Sequence, residues 1–224
     1  MSEHAVIVGV GPGLGASLAR TCAASGMAVT MIARRPDVIE PLAQQLRDGG
    51  TDAQAVVVDV AYEPAFTAAL EQLVATRPTP TLAVYNAVDA TPPGPPSTLE
   101  PEAVTMSLET NVTGAVVLVG ALLEPMRATG RASIIITGGV LAVRPMAAMA
   151  SLSIGKAALR TYAMCLHQEL GTDDPVHAAT VTVGGVIAPG SDFDPDAIAE
   201  RMLAVHADRE SGRGGEVMYR AGGG

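Results

Sequence analysis

The chain has 224 residues, of which 48% are hydrophobic, and a formal net charge of −9. This length can bury a sizeable core, so residues 1–220 are predicted to form one domain and residues 221–224 a flexible tail. The acidic balance argues against nucleic acid and anionic membranes and favours a small-molecule partner. The longest apolar segment, "VTGAVVLVGALL", is too short to cross a bilayer, and the sequence predicts a cytoplasmic protein.

The cysteine pattern gives no sign of a disulfide framework or a metal site. Cys22 and Cys165 are the only cysteines, and their spacing does not resemble that of metal ligands. Both are predicted to be buried, reduced thiols.

Short Val/Ile-rich segments alternate along the chain with longer segments of helical period. Six of them lack polar alternation and are predicted to be fully buried strands: residues 4–9, 28–33, 55–60, 81–87, 133–139 and 177–184. The segments between them, including 14–25, 63–77 and 102–123, are long enough to be crossover helices. This alternation predicts a Rossmann-type α/β fold, with helices flanking a doubly wound parallel sheet.

Three further segments complete the predicted chain. Asp194 and Pro195 are typical of the N-cap and first position of a last helix, and residues 216–220 could add an edge strand. The Pro-rich segment 90–99 predicts a stiff surface loop, and residues 221–224 are expected to fray.

A glycine-rich segment, "GVGPGLGASLA", joins the first predicted strand to the first helix. Glycines at such a junction allow a tight turn and bring backbone N–H groups, with the positive end of the helix dipole, against a pyrophosphate. Two registers fit a dinucleotide fingerprint. One uses Gly11, Gly13 and Ala16, and the other uses Gly9, Gly13 and Gly15. We favour the second, because Gly9 directly ends the strand.

The end of the second predicted strand, "MIARRPD", indicates which dinucleotide to expect. An acid at this point binds the adenosine ribose 2′-OH of NAD, whereas an arginine accommodates the 2′-phosphate of NADP. Ala33 stands in the position of the acid, and Arg34 and Arg35 follow it. The sequence therefore predicts NADP(H) rather than NAD(H), with Arg34 the closer of the two arginines to the strand.

From about Ala5 to Val186, the sequence resembles the short-chain dehydrogenase/reductase family in the order, spacing and context of its motifs. The family's Asn-Ala element after the fourth strand corresponds to Asn86 and Ala87, with Val88 where a glycine is usual. Together with the glycines and arginines above, the resemblance implies a set of cofactor-binding residues. They are Gly9, Gly13, Leu14, Gly15, Arg34, Arg35, Asp59, Val60, Asn86, Ala87, Lys156 and Val186.

The same resemblance identifies the catalytic positions and shows two departures. The family's helix-four asparagine corresponds to Asn111, and its Tyr-x-x-x-Lys element runs from Leu152 to Lys156. The expected serine corresponds to Gly139. In the family, the tyrosine exchanges a proton with the substrate oxygen and the serine holds that oxygen, while the lysine holds the nicotinamide ribose and the asparagine helps to order a relay water. The resemblance thus implies catalytic roles for Asn111 and Lys156, the only lysine, without the two groups that face the substrate.

None of the four tyrosines is well placed to replace the missing one. Tyr62 follows the adenine-side segment, Tyr85 is predicted to pack in or near the sheet, and Tyr219 lies in the terminal strand. Tyr162 shares the helix of Lys156, but their spacing of six residues turns it away.

Two hydroxyl side chains are nearer the predicted site. Ser153 shares a helix face with Lys156, and Thr137 points to the same side of its strand as Gly139. Both are poor acids, so we expect them to cap or pack rather than to donate protons.

The family's substrate segment corresponds to "VLAVRPMAAMASLS", which predicts an apolar pocket with Gly139, Met146, Met149 and Leu152 as substrate positions. The leading hypothesis is an NADP-dependent oxidoreductase acting by hydride transfer on a small apolar carbonyl, imine or enone. The alternative is a noncatalytic dinucleotide-binding sensor or interaction partner. The resemblance also implies a homodimer or homotetramer, because the helices around the catalytic positions carry wide apolar faces.

Overall fold

The computed structural model describes residues 3–89 and 94–222. Within these residues the strands are β1 (His4–Val8), β2 (Ala28–Ala33), β3 (Ala53–Val57), β4 (Leu82–Tyr85), β5 (Ala132–Gly139), β6 (Val176–Val183) and β7 (Glu216–Tyr219). They form one sheet in the order β3-β2-β1-β4-β5-β6-β7, and every neighbouring pair is parallel. The predicted parallel sheet is confirmed, and residues 216–219 are its last edge strand.

Helices cover both faces of this sheet. They are α1 (Leu14–Ala24), α2 (Pro36–Asp48), α3 (Glu63–Thr76), α4 (Pro101–Leu108), α5 (Gly114–Arg127), α6 (Ala150–Leu170) and α7 (Pro195–Ala207). One core cluster packs α1, α2 and α7 on one face, and a second packs α3, α5 and α6 on the other. Two covered faces explain why the central strands lack polar alternation. The fold is the predicted doubly wound α/β fold.

The third strand differs from its prediction in position and burial. We expected a fully buried strand over 55–60, but β3 is Ala53–Val57 and is only partly buried. Val57 is 47% exposed. The reason is the strand's place at the sheet margin, where β2 is its only neighbour. Residues 58–60 lie in the loop that follows the strand.

The last helix, α7, begins at the residues that the sequence predicted. Asp194 caps α7 as predicted, because its Oδ1 accepts a hydrogen bond of 2.8 Å from the backbone N–H of Asp196.

Of the Pro-rich segment 90–99, residues 90–93 lie outside the described residues, and Pro96–Thr98 form an exposed 3-10 turn. Of the predicted tail 221–224, residues 223 and 224 also lie outside them.

The two cysteines do not share one environment. Cys22 is buried in α1, and burial raises the pKa of its thiol to about 12. Cys165 is exposed on the outer side of α6, so the prediction that both thiols are buried is wrong. Hydrophobic residues outside the core are common on helix surfaces, and cysteine spacing alone does not indicate the face.

The helix pair α4 and α5 is longer than the apolar segment within it suggested. A π-helical turn, Glu109–Thr113, joins the two helices into one of 27 residues, Pro101–Arg127. Its length and mean hydropathy of 1.5 would suffice to cross a membrane, but 44% of the apolar window is buried within the protein. A helix that covers a sheet has the same properties, so this is weak support for a membrane span.

Candidate functional site

A cleft of about 540 Å³ opens at the carboxyl ends of the strands, where the chain order of the sheet reverses between β1 and β4. In open α/β sheets this switch point is where ligands bind. Ten of the predicted cofactor residues line the cleft: Gly9, Gly13, Leu14, Gly15, Arg34, Arg35, Asp59, Val60, Asn86 and Ala87.

The packing around the glycines distinguishes the two possible registers of the dinucleotide fingerprint. Gly9 has φ of +86°, and a Cβ there would lie 2.3 Å from the backbone nitrogen of Ala87. A Cβ on Gly15 would lie 2.6 Å from the Cα of Val10. These two positions require glycine for close backbone packing. A Cβ on Gly11 or Gly13 would meet no atom within 4 Å, so Gly11 is not constrained by packing. The geometry favours the register Gly9, Gly13, Gly15.

The turn after β1 presents the start of α1 to the cleft. Gly13 is the N-cap of α1 and has no side chain to bond the first N–H groups of the helix. Asn86 fixes the turn from β4, because its Nδ2 donates a 2.9 Å hydrogen bond to the carbonyl oxygen of Gly9. A helix N-terminus held open in this way suits an anion such as a pyrophosphate.

Basic side chains stand at the other end of the cleft. Arg34 and Arg35 are both exposed where β2 ends, and Arg35 is the N-cap of α2. The Nη1 of Arg34 lies 3.7 Å from Oδ2 of Asp59, while Oδ1 of Asp59 accepts a 3.0 Å hydrogen bond from the N–H of Ala61. An exposed ion pair at this distance is weak, so Arg34 can turn to an incoming phosphate.

Lys156 and Asn111 lie beyond the cleft lining, in the helices that cover β5. The Nζ of Lys156 donates a 3.2 Å hydrogen bond to the carbonyl oxygen of Thr137, and burial lowers the pKa of Lys156 to about 8. Asn111 is fully buried in the π-helical turn, and its Nδ2 donates to the carbonyl oxygen of Ser107 at 2.8 Å. Its Oδ1 has no hydrogen-bond partner among the described residues. Such turns are common at functional sites, and this one was not predicted from the sequence.

The two helices that carry these side chains pack very closely. A Cβ on Gly155 would lie 2.6 Å from the Oγ of Ser107, and that Oγ donates a 3.1 Å hydrogen bond to the carbonyl oxygen of Ser151. Gly155 therefore allows α6 to approach α4 and brings Lys156 and Asn111 to the same region of the structure.

The positions of the missing serine and tyrosine have different surroundings. Gly139 is extended and half-buried, and an added Cβ would meet no atom within 4 Å. Leu152 is buried but belongs to neither core cluster. Ser153 packs as expected, because its Oγ donates to the carbonyl oxygen of Met149 at 2.8 Å. Thr137 is buried, but its hydroxyl has no partner within the described residues.

The tyrosines lie where the sequence predicted. Tyr85 is buried in the sheet, where its hydroxyl donates to the carbonyl oxygen of Thr110 and burial raises its pKa. Tyr162 packs against the core, and burial raises its pKa to about 12. Tyr62 is exposed, and Tyr219 packs against Phe193. None of these contacts is with Lys156.

Some cleft residues were missed and some predicted residues lie outside it. Val186 is 84% exposed and does not line the cleft, whereas its neighbour Ile187 does. Met146 is largely exposed and Met149 half-buried at the start of α6. The cleft residues outside the predicted set of cofactor-binding residues are Val10, Gly11, Ala33, Val58, Val88, Thr110 and Ile187. Most of them adjoin a predicted residue, which was the available signal.

Comparisons with known proteins identify the family to which this fold belongs. A family model described as short chain dehydrogenase matches residues 3–193. The cis-4-hydroxycyclohexanecarboxylate dehydrogenase of Sinomonas cyclohexanicum is 31% identical over 153 residues, which are 68% of this chain and 61% of that protein. The match thus spans less than two thirds of that relative's length.

Solved structures show the same fold at low identity. A metagenomic short-chain oxidoreductase in complex with NADP is 24% identical, with a TM-score of 0.87 over 96% of each chain. L-Sorbose reductase from Gluconobacter frateurii, complexed with NADPH and L-sorbose, is 21% identical, with a TM-score of 0.89 over 99% of this chain and 97% of that chain. This chain belongs to the short-chain dehydrogenase family of oxidoreductases.

Proposed function

We propose that the protein binds NADP(H) in the cleft and transfers hydride with a small apolar carbonyl, imine or enone substrate. The glycine geometry carries this proposal. Gly9 and Gly15 hold the turn in a form that admits no side chain, while Gly13 leaves the start of α1 accessible to a ligand. This arrangement fits the pyrophosphate of a dinucleotide.

Each end of the cofactor has residues suited to it. Arg34 and Arg35 would hold the 2′-phosphate, and Asp59 with Val60 would border the adenine. Lys156 would hold the nicotinamide ribose, because a compact ammonium can donate to two hydroxyl groups. When bound, the nicotinamide supplies or accepts the hydride.

The substrate class follows from the residues that face the reacting end. Leu152 cannot move a proton, and the loss of a positioned general acid costs about 10²- to 10⁴-fold in rate. Ketones should therefore react slowly. Substrates that are already cationic, as an iminium is, or that take their proton from water need no such acid. Leu152, Met146 and Met149 would make this end of the site apolar. The cyclic alcohol for which the curated relative is named supports an apolar ring as the substrate body.

The test is cofactor titration followed by an activity panel. Loss of one or two charge-assisted hydrogen bonds, at about 1.5 to 3 kcal/mol each, predicts roughly ten- to a hundredfold preference for NADPH over NADH. Arg34→Ala should remove most of this preference, and Arg220→Ala, at an exposed site beyond β7, serves as the control. Equal binding of the two cofactors by the parent would contradict the assignment.

A second function is favoured by one observation: a leucine, Leu152, stands at the position where the resemblance implies a tyrosine. A noncatalytic dinucleotide-binding sensor or interaction partner would need no proton donor. NADPH oxidation with carbonyl, imine and enone acceptors separates the two functions. Tight NADPH binding with no turnover of any acceptor favours the sensor.

We also propose a cytoplasmic homodimer or homotetramer. Large apolar side chains are exposed on three helices, namely Met106 on α4, Val116 on α5 and Ile154 on α6. Exposed apolar surface of this kind is suited to self-association. Light scattering at micromolar concentration tests the proposal, and a monomeric mass would contradict it.

A further inference from the structure

Arg144 differs from most arginines of this chain in how its guanidinium is used. Ion pairs or side-chain hydrogen bonds engage the guanidinium of arginines such as Arg77, Arg127 and Arg160. Arg144 is exposed, and it makes no such contact with any residue that the structure describes. Its charge is therefore available to a ligand.

The backbone of Arg144 is nevertheless well held. It follows a 3-10 turn, Val140–Ala142, and its N–H donates a 2.8 Å hydrogen bond to the carbonyl oxygen of Val140. Pro145 restricts the backbone of the residue before it. The N–H of Met146 donates to the Oγ of Ser153 at 3.3 Å, which ties this loop to the first turn of α6.

These contacts place Arg144 beside the substrate positions. Gly139 ends β5 five residues before it, and Leu152 lies in the first turn of α6, eight residues after it. Met146, two residues away, is fixed to the residue that follows Leu152. Two residues span at most about 7 Å. The backbone of Arg144 is therefore close enough to the reacting end of the site for its side chain to extend there.

The segments around the site carry one cation together with several carboxylates. Arg144 is the only basic residue in the three segments that follow β4, β5 and β6, namely 86–100, 140–149 and 184–194. Its exposed neighbours are apolar: Val143 is 43% exposed and Met146 53%. A single guanidinium on an apolar surface matches an amphiphilic anion better than a sugar or a neutral ketone.

Resting on the proposed function, we propose that the substrate carries a carboxylate on an apolar body and that Arg144 binds this carboxylate. The apolar side chains of Val143 and Met146 contact the body, and the carboxylate accepts hydrogen bonds from the guanidinium. Arg144 is thereby a specificity-determining residue, and it takes no part in hydride or proton transfer.

The test compares two probes of equal shape, cyclohexanecarboxylate and cyclohexanecarboxamide, by calorimetry on the full chain with and without saturating NADPH. The parent should bind the carboxylate about tenfold more tightly than the amide, because the bond to Arg144 is charge-assisted. Arg144→Gln should remove this preference. Arg144→Lys should keep part of it, because an ammonium still donates a hydrogen bond. Arg220→Gln is the matched control and should bind as the parent does.

The outcomes separate this inference from the proposed function. Equal binding of both probes by the parent, no binding of either, or an unchanged preference in Arg144→Gln overturns the role of Arg144. A parent that binds no NADPH overturns the proposed function, while the probe preference is still measured without cofactor. Arg144→Gln should bind NADPH as the parent does, because Arg144 does not line the cleft.

Discussion

The two edges of the sheet use side chains in opposite ways. At the amino edge, where the parallel strands begin, buried histidines link neighbouring segments: Nδ1 of His4 lies 2.6 Å from the carbonyl oxygen of Pro78, and Nδ1 of His206 lies 3.0 Å from Oγ of Ser133. At the carboxyl edge, where the strands end, the chain uses glycine instead, and Gly9 and Gly13 leave backbone groups facing a cleft.

This contrast indicates where stability and binding reside. Side chains at the amino edge pair with groups of the same chain, which stabilises the fold. At the carboxyl edge, Lys156 has one hydrogen bond to the protein, and Arg35 and Arg144 have none from their guanidinium groups within the described residues. We infer that the amino edge stabilises the fold and that the carboxyl edge binds ligands.

The largest effect is expected from restoring the missing groups at the carboxyl edge. Gly139→Ser combined with Leu152→Tyr should raise NADPH-dependent ketone reduction by about 10²- to 10⁴-fold, the usual contribution of a positioned general acid. The serine has room, because a Cβ at Gly139 meets no atom within 4 Å.

Leu152 is buried, so the tyrosine could disturb the fold, and NADPH titration with thermal unfolding is the control. Gly139→Ser alone should fold like the parent and gain little activity. A double variant that folds, binds NADPH and still reduces no ketone would show that more than acid catalysis is missing.

Two glycine variants test which of the two glycine registers forms the dinucleotide fingerprint. Gly9→Ala should lower the free energy of unfolding by about 2 to 5 kcal/mol, from overpacking against Ala87 and from backbone strain. Gly11→Ala should leave stability and NADPH affinity nearly unchanged, since its Cβ meets no atom. Chemical denaturation and cofactor titration measure both quantities. A large loss of NADPH affinity in Gly11→Ala would instead support the register Gly11, Gly13, Ala16.

A smaller effect is expected from acid at the amino edge. Burial lowers the pKa of His4, His177 and His206 below the ordinary value of 6.5. Below pH 6.5 the unfolded chain therefore binds more protons than the folded one, and the free energy of unfolding falls as the pH falls. Each such histidine contributes at most about 1.4 kcal/mol per pH unit.

Denaturation of His206→Gln between pH 6.5 and 5.5 tests this assignment. Its stability should fall less steeply than that of the parent, and its NADPH affinity should stay the same because His206 lies at the opposite edge from the cleft. Equal slopes for the two proteins would show that His206 does not contribute.

The sequence predicted the central strands well and the sheet margin poorly. Continuous Val/Ile runs such as residues 28–33 indicate a strand with two covered faces, and β2 has these bounds. The prediction for β3 was wrong because the segment "AVVVDV" resembles the runs of the central strands. Its last residues nevertheless lie beyond the end of the strand. The π-helical turn at Glu109–Thr113 has no periodic signal, since it interrupts one continuous apolar helix.

The candidate site was predicted where backbone geometry or a motif requires a residue type. Gly9 and Gly15 were identifiable because only glycine permits their contacts. Ile187 was missed in favour of Val186, because a loop has no period to indicate which neighbour faces the cleft. Nor could spacing reveal that the Thr137 hydroxyl has no partner among residues 3–89 and 94–222, which depends on packing between distant segments.

The central claim is that the carboxyl edge holds NADP(H), with Lys156 on the nicotinamide ribose. The most direct test is NADPH titration of Lys156→Ala beside Leu152→Ala, two truncations one helical turn apart on the same face of α6. Lys156→Ala should weaken NADPH binding at least tenfold, because charge-assisted hydrogen bonds contribute about 1.5 to 3 kcal/mol each, and Leu152→Ala should leave it nearly unchanged. If Lys156→Ala binds NADPH as tightly as the parent, the ribose role of Lys156 is contradicted.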